Sequence, residues 1–193
     1  VSMQWRCTIC GYIHEGPTPP DVCPICGAGP EAFELVAAKP ATKPLHTLTY
    51  GLYIVSSKKG DAVNGQCANT VFQITSSPPQ IAIGIGTDRY THEFIKESGL
   101  FSVGVLATDS IHLAKHFGFK SGREHDKFKD IAFELSDLGL PLLKETLANF
   151  QCRVVGELPC GTHTLFVGEV ITMEVQRQGE PLTYAEYQRR KYE

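Results

Sequence analysis

Apolar residues alternate with polar ones, or run on unbroken, over residues 52–55, 71–75, 81–85 and 101–106, and Gly, Pro, Asn or Asp clusters bound each run. Short runs of that period and with those borders predict strands. Two longer stretches, 150–157 and 164–175, are dominated by β-branched residues (VVGE, FVGEVITMEV), which suit a pleated surface. Helical patterning is confined to three places. One helix is predicted over 91–98, ended by Gly99; a second over 110–117, with Ser110 as N-cap and Gly118 as stop; a third over 183–192. Many strands, few short helices and no strand–helix alternation predict a mainly β fold, a closed or split antiparallel barrel rather than a doubly wound sheet.

The beginning of the chain follows a different pattern. Four of its seven cysteines lie within the first 26 residues, and residues 37–45 (AAKPATKPL) have no apolar period. Pro40 and Pro44 make that stretch a semi-rigid spacer. Val1 and Ser2 read as residues left by tag removal. The organisation expected is a small metal-binding domain at 3–38, a linker at 39–45 and a larger domain at 46–193, which a length of 193 residues accommodates.

A hydrophobic fraction of 42% against 20% charged residues is that of a packed globular protein rather than a disordered one. No apolar run approaches the roughly 20 residues that cross a bilayer, and no signal-type stretch opens the chain, so a cytoplasmic location without membrane contact is expected. The net charge of −3 is unevenly placed. Before residue 39, Arg6 alone faces Glu15, Asp21, Glu31 and Glu34, whereas the remainder balances at 17 charges of each sign. An acidic module of this kind argues against nucleic acid and suits a basic protein partner.

The cysteines are spaced Cys7-Thr8-Ile9-Cys10-Gly11-Tyr12 and, twelve residues on, Cys23-Pro24-Ile25-Cys26-Gly27. Each pair predicts a knuckle whose backbone N–H groups point at thiolate sulfur, with the following glycine taking the positive φ that closes the turn. Two facing knuckles make a tetrahedral four-thiolate site. Spacing alone leaves zinc and iron both open. Around the cysteines, WRCTICGY, PDVCPICG and then Phe33 resemble rubredoxin, in the short-loop form found in rubrerythrin. That resemblance covers about the first 38 residues. It implies one iron on Cys7, Cys10, Cys23 and Cys26, cycling between ferric and ferrous states, with zinc as a substitute, over a small aromatic core of Trp5, Tyr12 and Phe33.

From 61 to 106 the chain reads DAVNGQCANTVFQITSSPPQIAIGIG and TDRYTHEFIKESGLFSVGVL, a strand entering a turn of small hydroxyl and amide side chains. The order of the pieces over 47–175 resembles the flavin reductase-like family, which binds FMN in a split β-barrel. The resemblance implies that Ala68, Asn69, Thr70 and Val71 lie along the isoalloxazine ring, and that Ser76 and Ser77 sit near the ribityl chain. It also implies that Thr87, Arg89, Tyr90 and Thr91, opening a helix, hold the phosphate. His163 matches a histidine placed beside the flavin or the incoming nicotinamide. Asp88 departs from the Asn or Lys of relatives, with Arg89 the compensating charge, and Thr162 stands where Asp is common. The loop 118–128 (GFKSGREHDKF) reads either as a nucleotide clamp or as a solvated surface, and Cys67 alone of the remaining cysteines is near enough in sequence to touch the flavin.

A hydride carries two electrons and a four-thiolate iron takes one; flavin links the two regimes. The pairing resembles the high-molecular-weight rubredoxins of anaerobes. It implies an oxidoreductase relaying electrons from NAD(P)H or a reductase, through FMN and iron, to an acceptor of the flavo-diiron type that reduces oxygen or nitric oxide. It also implies a homodimer, and no catalytic base is assigned. Two rival readings stand beside it: an NAD(P)H:flavin or ferric reductase with a peripheral metal module, and a non-redox zinc-ribbon binding module.

Overall fold

A computed structural model describes residues 3–36 and 47–190. The expected linker at 39–45, with Pro40 and Pro44, lies outside the described residues. The chain divides into two compact units, Val1–Leu48 and Thr49–Glu193.

The first unit is a three-stranded antiparallel sheet in the order β2-β1-β3, formed by β1 (Gln4–Cys7), β2 (Ile13–Glu15) and β3 (Phe33–Val36). Its core is small: Cys7, Cys23 and Phe33 are buried, with Trp5, Tyr12 and Ala28 packed against them.

In the second unit seven strands form one antiparallel sheet. They are β4 (Tyr53–Lys59), β5 (Ala62–Ala68), β6 (Val71–Ser76), β7 (Pro79–Gly86), β8 (Leu100–Val105), β11 (Ala148–Cys160) and β12 (His163–Val175), in the order β5-β4-β8-β11-β12-β7-β6. A short hairpin of β9 (Phe133–Leu135) and β10 (Pro141–Leu143) stands apart. Strands β5 and β6 are the two outer edges of the large sheet, yet only Asn69 and Thr70 separate them in the chain. The sheet must therefore curl until its edges meet without pairing, which is the split barrel. One core fills its interior, drawing Val55, Ala68, Val71, Ile83, Phe101 and Phe166 from six of the strands. Successive residues of β4 point opposite ways: Val55 joins that core and Ile54 a second one, beneath α2 (Ile111–Phe119) and α3 (Tyr184–Arg190).

Helix α1 (Tyr90–Ser98) packs on β4 and ends at Gly99, whose left-handed conformation lets its N–H reach the Ile95 carbonyl at 2.9 Å. Two expectations shift. Helix α2 runs through Gly118 to Phe119, and Ser110 stands at its N-cap without capping, its hydroxyl turned to the Asp109 carboxylate and the Glu145 carbonyl. Among the described residues no helix is long and apolar enough to cross a membrane.

Candidate functional sites

The two knuckles repeat each other bond for bond. Cys7 N–H donates to the Tyr12 carbonyl and Gly11 N–H to the Cys7 carbonyl, both at 2.8 Å; Cys23 N–H donates to Ala28 at 2.7 Å and Gly27 N–H to Cys23 at 2.9 Å. The turns close because Gly11 and Gly27 take φ of 77° and 75°, a region L side chains avoid. All four sulfurs lie within 4.8 Å of one another, with Cys7–Cys26 at 3.7 Å and Cys10–Cys23 at 3.6 Å. A tetrahedral ion with metal–sulfur bonds of about 2.3 Å sets sulfurs about 3.8 Å apart, so the donor set already has the right size.

Electrostatics also demand a cation. Backbone N–H groups of Cys10 and Ile9 hold the Cys7 thiol below its ordinary value. At Cys23 burial works the other way, but the N–H groups of Cys26 and Ile25 and the neighbouring thiols bring it down to about 7. Although the Ala28 N–H favours a thiolate at Cys26, burial and the three other sulfurs push that thiol up to about 12. Four thiolates therefore coexist only around a metal charge. Cys7 and Cys23 are buried, Cys10 and Cys26 exposed. The residues just before the exposed pair, Ile9 and Ile25, are 70% and 69% exposed, so the face around these sulfurs is apolar and open.

The second site lies where the barrel is split. A cavity of about 540 Å³, within the range of small-molecule sites, is walled by β5 and its exit (Gln66 to Thr70), by Gly84 and Gly86 of β7, by the start of α1, and by the loop 118–127. Of the residues the sequence nominates, Ala68, Asn69, Thr70, Arg89, Tyr90, Thr91 and His163 line it, as do Cys67 and Asp88. Val71 is buried in the barrel core, and Val71 and Ser76 line a different, apolar groove. Ser77 and Thr87 line neither; the Thr87 N–H and hydroxyl both reach the Thr162 carbonyl, at 3.0 and 3.2 Å. Those bonds tie the β11–β12 hairpin tip to β7, where His163 pairs with Gly86. The His163 Nδ1 is 2.9 Å from the Thr162 hydroxyl, a neutral partner. Arg89 Nε lies 3.4 Å from Asp88 Oδ1, so the compensating charge does face the acid.

The sequence does not single out Asn64, Gln66 or Gly122 of the wall, whereas Arg123 and Lys127 belong to the loop read as a nucleotide clamp or a solvated surface. Buried Asn64 donates to the Thr91 hydroxyl at 2.8 Å and thereby fixes the first turn of α1. A Cβ at Gly122 would lie 1.9 Å from Asn64 Oδ1, so only glycine lets the loop 118–127 settle there. Arg123 latches the same loop to α1, paired with the Glu93 carboxylate and lying 4.7 Å over the Tyr90 ring. Lys127 is buried beneath it. Three features suit a flavin. Gln66 Oε1 is buried without a hydrogen-bond partner, an acceptor free for an N–H of the ligand. No side chain caps the N-terminus of α1, so its first N–H groups are available to an anion. Arg89 and Lys127 add positive charge.

Comparisons with known proteins identify both modules. Residues 45–193 match the flavin reductase like domain, and residues 5–34 the rubredoxin-like domain of rubrerythrin. A high molecular weight rubredoxin from Moorella thermoacetica is 53% identical over 148 residues, 76% of this chain but only 65% of that protein, just short of two thirds of its length. A ferric-chelate reductase (NAD(P)H) from Archaeoglobus fulgidus is 42% identical over 74% of this chain and 85% of its own. Among solved structures, a Streptomyces globisporus NADH:FAD oxidoreductase superposes with a TM-score of 0.71 at 26% identity, covering 80% of this chain and 94% of that one. Flavin and an iron on the four cysteines are thus the cofactors of this chain, which belongs to the flavin reductase-like family and carries a rubredoxin-like module on the same polypeptide.

Proposed function

We propose that this protein relays electrons from NAD(P)H, or from a reductase, through FMN to iron on Cys7, Cys10, Cys23 and Cys26, and on to an acceptor protein of the flavo-diiron type. The observation that carries the reading is the presence, in one chain, of a flavin cavity and a four-thiolate knuckle pair with two sulfurs at the surface. Bound flavin exchanges electrons in pairs or singly, and bound iron singly. The residues around them hold and orient. His163 and Tyr90 border the mouth of the cavity, Asn64 and Thr91 set its floor, and Ile9 and Ile25 offer an apolar rim beside Cys10 and Cys26 for a protein partner. All seven cysteines are free, which suits the reducing cytoplasm. Rapid mixing with NADH under anaerobic conditions tests the relay: the flavin band falls first and the ferric-thiolate bands bleach after it. Flavin reoxidation with the iron left ferric would end it.

A second reading, direct NAD(P)H:ferric or flavin reduction, is favoured by the Archaeoglobus fulgidus relative, whose name is that activity. An iron-free Cys23→Ser variant separates them, because reduction of ferric chelate or free flavin would then proceed unchanged.

The working unit proposed is a homodimer. Phe72 on the β6 edge and Met173 on β12 are 52% and 61% exposed, and with Val71, Phe150 and Val170 they line an apolar groove of about 520 Å³. A surface of that kind invites a second copy. Sedimentation is expected to give twice the chain mass, and Met173→Glu to give the single chain.

A further inference from the structure

Lys127 is a buried cation without a countercharge. It is 6% exposed, and its Nζ donates to the carbonyls of Gly65 and Phe117, each at 3.0 Å. An ammonium has three N–H donors, so one is left over. Among the described residues no ion pair joins Lys127 to a carboxylate. The groups around it give it no negative charge: Cys67 faces it from β5, with a thiol that burial pushes up to about 12, and Arg89 acts on it from the start of α1. His116 of α2 is bonded to its backbone carbonyl at 2.8 Å; Lys120 and Glu124 of its own loop share the cavity wall, and with His125, Asp126, Lys129 and Asp130 they also line a second space of about 320 Å³ that Lys127 borders, none of these carboxylates pairing with it. A buried ammonium with no anion is expensive, and the larger of the two spaces it borders is the cavity at the barrel split.

We propose that Lys127 binds an anionic group of the flavin through the N–H its two carbonyls leave free, and so determines how tightly the cofactor is held. This rests on the cavity being the flavin site. Two parts of a flavin carry such charge: the 5′-phosphate in either oxidation state, and the ring once reduced.

The test uses the full chain, iron-loaded and stripped of flavin, titrated calorimetrically with FMN and riboflavin, each oxidised and, under anaerobic conditions, reduced. Lys127→Met keeps the unbranched apolar stem of the side chain and removes the ammonium with its charge. If the partner is the phosphate, the variant loses at least about tenfold affinity for FMN in both states and none for riboflavin; if it is the ring, it loses that factor for both reduced flavins alone. Either pattern, or the two superposed, supports the assignment. An equal loss for all four ligands, or none for any, overturns it, whereas no flavin binding by the unmodified protein overturns the site itself.

Should the variant fail to fold, pH decides on the unmodified chain. Burial holds the free lysine at about 8, and an anion favours its charged form. Affinity is then full below about pH 8 and falls as pH rises through it, while phosphate, with its second pKa near 6, stays dianionic throughout. A flat profile up to pH ~9.5 for all four ligands overturns the assignment, since the lysine's charge is lost over that range.

Discussion

Cys23→Ser is expected to empty the iron site and unfold residues 3–36 while leaving the barrel folded. Among the described residues of that unit only three are buried together, and two of them, Cys7 and Cys23, are ligands. A core so small does not hold a fold by apolar burial alone, and a bound four-thiolate metal contributes on the order of 10 kcal/mol to the folding of such modules. The chain contains one tryptophan, Trp5, which packs on that core and donates to the Gly16 carbonyl at 3.3 Å. Its emission therefore reports on this unit alone. A shift of that emission to the solvent-exposed range, with loss of iron by metal analysis and an unchanged barrel melting transition, is the result expected. Unshifted emission after the metal has gone would mean that the module folds without it.

Phe101→Ala should be the most damaging single change in the barrel. The ring is fully buried and meets Gly168 so closely that a Cβ there would lie 2.3 Å from it. Truncating it leaves a cavity in the core that fills the barrel interior, at about 3–5 kcal/mol, or a fall in Tm of ~10 °C for a unit of this size. Flavin affinity should fall with it. The edges β5 and β6 are not hydrogen-bonded to each other, so packing around Phe101 is what keeps the walls of the cavity at their spacing. A variant that melts within ~2 °C of the parent would show that the barrel does not depend on this core.

What the sequence disclosed follows from how local each signal is. The knuckles were legible because ligands, glycines and turn bonds all fall within six residues. The β-rich reading of the second unit held for the strands rich in Val, Ile and Phe, and Gly99 marked the end of α1 where expected. Strand β5 (AVNGQCA) was hard to delimit. It has few strand formers and is held extended by its pairing with β4, while Asn64, Gln66 and Cys67 turn to the ligand space. The loop 118–127 left two readings open, because its role depends on partners distant in sequence, Glu93 and Asn64. No periodicity reveals a lysine that folds inward, as Lys127 does. Ser76, which the resemblance sets near the ribityl chain, lines the apolar groove rather than the cavity at the split, because the curl of the sheet decides which space an edge residue faces.

Asn69 and Thr70 join strands that are remote within the sheet but adjacent in space. This two-residue link is at once the hinge of the closure and a strip of ligand-facing wall. Natural or designed versions of the fold can lengthen exposed tips such as Gly60, where chain enters solvent on both sides. One residue inserted between Ala68 and Val71 would separate the borders and put different side chains toward the cofactor. Loop-length tolerance, strong elsewhere on the barrel, should therefore vanish at this one crossing.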